Sequence, residues 1–92
     1  MKTSKLAMVF NNDEKAKLKW HCRRGMLELD LILTRFADNN LNNMNEAQLT
    51  VFSKLLACTD PELFSWLMSY EKPADKELAD FVEFIRLHDK LR

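Results

Sequence analysis

An all-α fold, a compact five-helix bundle, is predicted by three features of this 92-residue chain. Glycine and proline are scarce, at one and two residues, while Leu, Lys, Glu, Ala and Met are plentiful. Apolar residues recur at three- and four-residue spacing, with no alternating β-branched run bounded by turn dipeptides. Helix-start residues punctuate these stretches at intervals that leave only short links. The chain is too short to divide into two cored domains, and 47% apolar residues suffice for one core without staples.

Residues 1–11 are expected to form a flexible arm, with Val9 and Phe10 resting on a single domain over 12–92. Asn11, Asn12 and Asp13 are all good N-cap types, and Asp13 and Glu14 put negative charge at a helix start. The first helix is predicted to run to Arg23, with Ala16, Leu18, Trp20 and part of Cys22 inward. Its apolar spacing is nearer to alternation than to a stripe. Arg23 and Arg24 suit the negative pole of this helix, and Gly25 is expected to be its left-handed C-cap.

The second helix is predicted over Met26 to Ala37. Leu29, Ile32, Leu33 and Phe36 make an i, i+3, i+4, i+7 stripe, and Leu27 and Leu31 are expected to widen it. Asp38-Asn39-Asn40 should end it in an Asn-rich loop through Asn43. Asn45 with Gln48 resembles a capping box for a third helix reaching Cys58, burying Leu49, Phe52, Leu55 and Leu56. Asp60 as N-cap, Pro61 at the first position and Glu62 open a fourth helix to Tyr70, with Leu63, Phe64, Leu67 and Met68 inward. Lys72-Pro73 breaks it. A fifth helix opening at Pro73 or Asp75 carries Leu78, Phe81, Val82 and Ile85 in register toward the C-terminus. Trp66 lies between inward positions and is expected at the edge of the core rather than as an exposed anchor.

Formal charge is zero, so a strong electrostatic grip on nucleic acid is not expected. The balance hides an asymmetry. Through Arg24 seven Lys/Arg face two Asp/Glu, a net of +5, and the remainder is −5. A solvated basic face accounts for this more simply than an acidic partner does. Cys22 and Cys58 sit in apolar helical patterns and are expected as reduced, buried thiols of a cytoplasmic protein. The run Leu6-Ala7-Met8-Val9-Phe10 is too short for a signal-peptide core, and nothing approaches the ~20 apolar residues of a membrane span. The expectation is a soluble intracellular protein with no membrane insertion.

Catalytic equipment is sparse. His21 and Cys22 are adjacent, which aims them apart on a helix, and only His88 and Cys58 remain as further ligands for zinc. No glycine-rich loop offers a nucleotide site. Asp75, Glu77 and Asp80 fall at a helix start and its outer face. No catalytic residue, no metal site and no enzyme activity are expected.

Arg24-Gly25-x-x-Glu28 admits two readings. Locally, arginine closes one helix, glycine caps it and Glu28 begins the next. Functionally, a glycine without a side chain lets a partner's backbone approach, and Arg24 and Glu28 supply charge-assisted hydrogen bonds to it.

At these residues the chain resembles the SdhE family of small flavinylation factors for succinate dehydrogenase. The resemblance rests on Trp20-x-Cys22-Arg23-Arg24-Gly25-Met26-x-Glu28-Leu29-Asp30. A second block comprises Leu55-Leu56, Cys58, Asp60-Pro61-x-Leu63-Phe64-x-Trp66-Leu67 and Lys72-Pro73-Ala74-Asp75. Departures are the longer N-terminal arm and the Asn-rich loop, both outside the motif. The resemblance implies a five-helix bundle that binds the flavoprotein subunit of succinate dehydrogenase, and in some bacteria that of fumarate reductase. It implies that the factor promotes covalent attachment of FAD to a histidine of the partner, with no cofactor held stably by this chain. The role implied is to hold the partner's domains where histidine and isoalloxazine meet. An older family label, an antitoxin acting on cytoskeletal proteins, is the alternative. Arg24, Gly25 and Glu28 match the motif directly as partner-binding residues, with Arg23 and Asp30 beside them. A monomer is expected.

Overall fold

The computed structural model describes residues 12–88, which contain five α-helices and no strand. The helices are α1 (Asn12–His21), α2 (Leu27–Asn40), α3 (Glu46–Leu56), α4 (Asp60–Leu67) and α5 (Lys76–His88), with a 3-10 turn at Leu41–Asn43. The predicted all-α bundle is thereby found. The N-terminal arm and its Val9 and Phe10 lie outside the described residues.

The core is centred on phenylalanines from three helices. Phe36 of α2 meets Phe52 of α3 edge-on at 5.5 Å between ring centroids, and Phe81 of α5 lies 5.4 Å from Phe52. Phe84 completes the group, 5.7 Å from Phe36 and 5.4 Å from Phe81. Edge-to-face rings pair the positive rim of one with the negative face of another, which adds to their burial. Leu29, Leu33, Leu55, Leu63 and Ile85 close around this group without solvent exposure. α3 packs on α5, α2 and α5 both pack on α4, and α1 closes one side against α2 and α3.

Sequence chemistry explains most helix ends. Asn45 Oδ1 accepts from the Gln48 amide at 2.8 Å and Gln48 Oε1 accepts from the Asn45 amide at 2.9 Å, the reciprocal box expected at α3. α5 opens under Asp75, whose Oδ1 accepts from the Glu77 amide at 2.8 Å and from the Leu78 amide at 3.4 Å. Those backbone donors, with Lys54 nearby, hold the Asp75 carboxyl below its ordinary pKa. Lys54 near the end of α3 reaches Glu77 at 3.1 Å and Asp75 at 3.6 Å, tying α3 to the start of α5.

Several expectations are corrected. Thr59, not Asp60, caps α4: its Oγ1 accepts from the Glu62 amide at 3.3 Å, and Glu62 Oε1 accepts from the Thr59 amide at 3.0 Å. Thr59 can do this because its box partner stands at the required spacing, which leaves the Asp60 carboxylate free for other work. α2 continues through the Asn-rich stretch to Asn40 because Ala37 and Leu41 bury their side chains, which the loop reading did not allow. Asn40 Nδ2 donates to Phe36 O at 3.0 Å, an amide serving a helix carbonyl. α3 ends at Leu56 and α4 at Leu67, both earlier than expected. Phe64, Trp66 and Met68 are half-buried against the core, so Trp66 is the core-edge residue predicted.

Gly25 does not adopt the left-handed conformation. Ser69 does, with φ 67°. There the Ser69 amide donates to Trp66 O at 3.1 Å and the Tyr70 amide to Ser65 O at 2.8 Å, the two bonds of a Schellman motif closing α4.

Candidate interaction site

The link between α1 and α2 runs from Cys22 to Met26. It leaves α1 in tight turns, the Cys22 amide donating to Lys19 O and the Arg23 amide to Trp20 O, each at 3.1 Å. Cys22 is fully buried, and burial pushes its thiol up to about 12, with Arg24 opposing the shift. Met26 precedes α2 in extended geometry without a side-chain cap.

Arg24 is turned inward. Its side chain is 14% exposed, and four hydrogen bonds hold it. Nε donates to Asp60 Oδ1 at 2.8 Å, Nη1 to His21 O at 2.9 Å and Leu56 O at 3.0 Å, and Nη2 to Cys58 O at 2.9 Å. The carbonyls of His21 and Leu56 end α1 and α3, where helix dipoles favour a cation. Asp60 opens α4, where a dipole favours an anion. The local reading of Arg24 as a helix-end cation is therefore right about His21 and incomplete about the rest.

Gly25 is exposed beside this clamp, and the nearest atom to an added Cβ would be Asp60 Oδ2 at 3.6 Å, an ordinary contact. Glu28, in the first turn of α2, is exposed and makes no hydrogen bond or ion pair among the described residues. Arg23 and Asp30 are brought together, Nε to Oδ1 at 3.3 Å, and Thr34 Oγ1 donates to the same Asp30 oxygen at 3.2 Å. The five residues singled out from sequence thus occupy one turn. Gly25 and Glu28 face solvent, Arg24 faces the fold, and Arg23 leans on Asp30.

Apolar side chains flank this turn where core residues were expected. Trp20 is 71% exposed, Leu27 70% and Leu31 53%. Leu18 of α1 and Cys22 just past its end are the buried pair, one turn apart, so Ala16 and Trp20 fall on the opposite side. In α2 the stripe from Leu29 to Phe36 likewise leaves Leu27 and Leu31 outward. At about 100° per residue the two sets fall on opposite faces of their helices, and packing decides which face is buried. Asp60's pairing with Arg24 carried no local signal, because 36 residues separate them.

Both cysteines are free thiols, Cys22 buried and Cys58 half-buried. Among the described residues no group of three or more His, Cys, Asp and Glu is placed to hold a metal, and no helix is long and apolar enough to cross a membrane.

Fold and turn together define a class of protein: a small all-α module built around an arginine-pinned Arg-Gly-x-x-Glu corner. Residues 16–89 match the family described as flavinator of succinate dehydrogenase, and the chain belongs to that family. It is 51% identical over 76 residues to an FAD assembly factor SdhE of Legionella pneumophila (strain Lens), covering 83% of this chain and 95% of that one. It is 44% identical over 72 residues to one from Idiomarina loihiensis, covering 78% and 80% of the two chains. A third, from Yersinia pseudotuberculosis, is 40% identical over 80 residues, covering 87% and 91%. The resemblance drawn from the two sequence blocks is borne out.

Proposed function

We propose that this chain is an FAD assembly factor that binds the flavoprotein subunit of succinate dehydrogenase and promotes covalent attachment of FAD to it. Family membership supports the process. The observation that carries the site is Glu28: an exposed carboxylate, unpaired among the described residues, one turn from an exposed glycine. Partner backbone can approach Gly25 closely while Glu28 accepts hydrogen bonds from its amides or cations. Arg23 and Asp30 add a charged border, and Trp20, Leu27 and Leu31 add apolar area of the kind that anchors interfaces.

In this reading the chain acts by positioning and not by chemistry. The partner supplies the FAD site and the histidine, and this chain holds no cofactor and contributes no nucleophile. Orienting two reactive groups is enough to remove much of a barrier. It works in the cytoplasm as a monomer, and the flavoprotein subunit of fumarate reductase is a second client of the same face.

The test is co-purification of the chain with the flavoprotein subunit, followed by in-gel flavin fluorescence of that subunit. Wild-type protein should be retained and should raise covalent flavin, and Glu28→Ala should lose both. Equal flavin attachment with and without the chain would overturn the proposal.

A further inference from the structure

We propose that Asp60, acting through Arg24, is a positioning residue for the Gly25–Glu28 surface, and that Arg24 serves the interface from behind and not by touching the partner. The inference rests on the reading that Gly25 and Glu28 meet the flavoprotein subunit.

Arg24 is poorly placed to reach out. Its side chain is 14% exposed and four of its five N–H donors are committed within the fold. To take more than the one remaining Nη2 N–H, a partner carboxylate would have to displace Asp60 or strip the carbonyls of Leu56 and Cys58 of their donor. The guanidinium is a planar fork, and its fixed donor directions suit several acceptors held at set angles. Here those acceptors come from the ends of α1 and α3, from Cys58 in the link after α3 and from the first residue of α4. Three helix termini meet on one side chain.

The adjoining link needs such a fixture. Met26 gives α2 no side-chain cap, and Gly25 contributes no packing of its own. Arg24 supplies the side-chain hydrogen bonds that join this link to the α3–α4 corner. Asp60 is available for that work because Thr59 and Glu62 cap α4 without it. Asp60 also borders the open face of Gly25, its Oδ2 3.6 Å from where a Cβ would stand. The carboxylate that orients the arginine thus also walls one side of the glycine surface. The two sequence blocks behind the family resemblance meet physically at this contact.

The test compares Asp60→Ala, Asp60→Asn and Arg24→Lys with wild type in the full-length chain. Binding to the flavoprotein subunit supplied with FAD is measured below the melting temperature of each variant. Backbone amide shifts and hydrogen exchange of Gly25 to Glu28 are recorded on the same samples. Asp60→Ala should remain helical, move the Gly25 and Met26 amides, and weaken binding about tenfold or more. Asp60→Asn keeps an acceptor of the same shape and should fall between the two. Arg24→Lys keeps the charge without the fork and should behave like Asp60→Ala. Because fewer molecules hold the competent turn, flavin attachment should recover at high factor concentration. Glu28→Ala, by contrast, should lose binding with the neighbouring turn amides unmoved. Folded Asp60 variants that bind like wild type would overturn the proposal alone. Loss of binding in Arg24→Lys with unmoved amides would do the same, by making Arg24 a direct contact. If Asp60→Ala fails to fold, Asp60→Asn decides. Failure of wild-type protein to bind the subunit would overturn the functional reading and this proposal with it.

Discussion

Gly25 faces the carboxylate of Asp60 across a gap that a methyl group would fill at 3.6 Å. Its φ is not positive, so the fold does not need a glycine there. Gly25→Ala should therefore leave stability unchanged or raise it by about 0.4–1 kcal/mol, through a less flexible unfolded chain. If close approach by a partner is the reason for glycine, the same variant should lose flavoprotein binding. Thermal melts and co-purification measure the two effects separately, and a destabilised Gly25→Ala would contradict the geometry.

Arg24 and Glu28 should part company on mutation. Arg24→Ala leaves the Asp60 carboxylate and the Leu56 and Cys58 carbonyls without their donor, and should cost about 1.5–3 kcal/mol. Glu28→Ala breaks no bond among the described residues and should stay within about 0.5 kcal/mol of wild type. Urea unfolding resolves a difference of this size. Similar losses for both would mean that Glu28 has a structural partner.

Ser69 is the residue for which glycine is conformationally suited. Its φ of 67° closes α4 in a conformation that strains residues bearing a Cβ. Ser69→Gly should raise stability by about 0.5–1 kcal/mol, the relief exceeding the added freedom of the unfolded chain. A drop in melting temperature would show that the Ser69 side chain contributes something the backbone does not.

The two thiols should differ in reactivity. Cys22 is buried, and burial raises its pKa from an ordinary 9.0 to about 12, while Cys58 is half-buried with a smaller upward shift. In native protein a thiol reagent should modify Cys58 first and reach Cys22 only on unfolding. A folded pKa above the unfolded one favours the native state fully below pH 9 and loses that contribution as pH rises toward about 12. The alkaline limb of the stability curve should accordingly flatten in Cys22→Ala. Equal modification rates at neutral pH would contradict this placement of Cys22.

Core truncation tests the helix registers. Leu33, Phe52 and Ile85 are each fully buried. Leu33→Ala and Ile85→Ala should cost about 2–5 kcal/mol, and Phe52→Ala about 3–5 because it also dissolves the ring contacts with Phe36 and Phe81. Variants melting like the parent would refute the register.

The sequence by itself determined whatever depends on neighbours along the chain. Apolar spacing in α2, α3 and α5 placed Leu33, Phe52 and Ile85 in the core, because a helix face is a local periodicity. The Asn45–Gln48 box was legible for the same reason, and so was Asp75 as one of two residues offered for the start of α5: capping oxygen and amide donor lie within a few residues of each other. The Arg-Gly-x-x-Glu turn was found as a string, together with its family.

Only the tertiary structure decided how that turn is used. Arg24 has acceptors 32, 34 and 36 residues away, and no local pattern announces which carbonyls an arginine will reach. Whether Asp60 capped its own helix or paired with Arg24 depended on Thr59 taking the cap and on α3 delivering its carboxyl end beside α1. Trp20, Leu27 and Leu31 are as apolar as any core residue, and their exposure follows from which face each helix buries. Composition sets how much apolar surface a chain possesses. The packing of helices distant in sequence selects which part of it stays in water, because each helix can bury only one face.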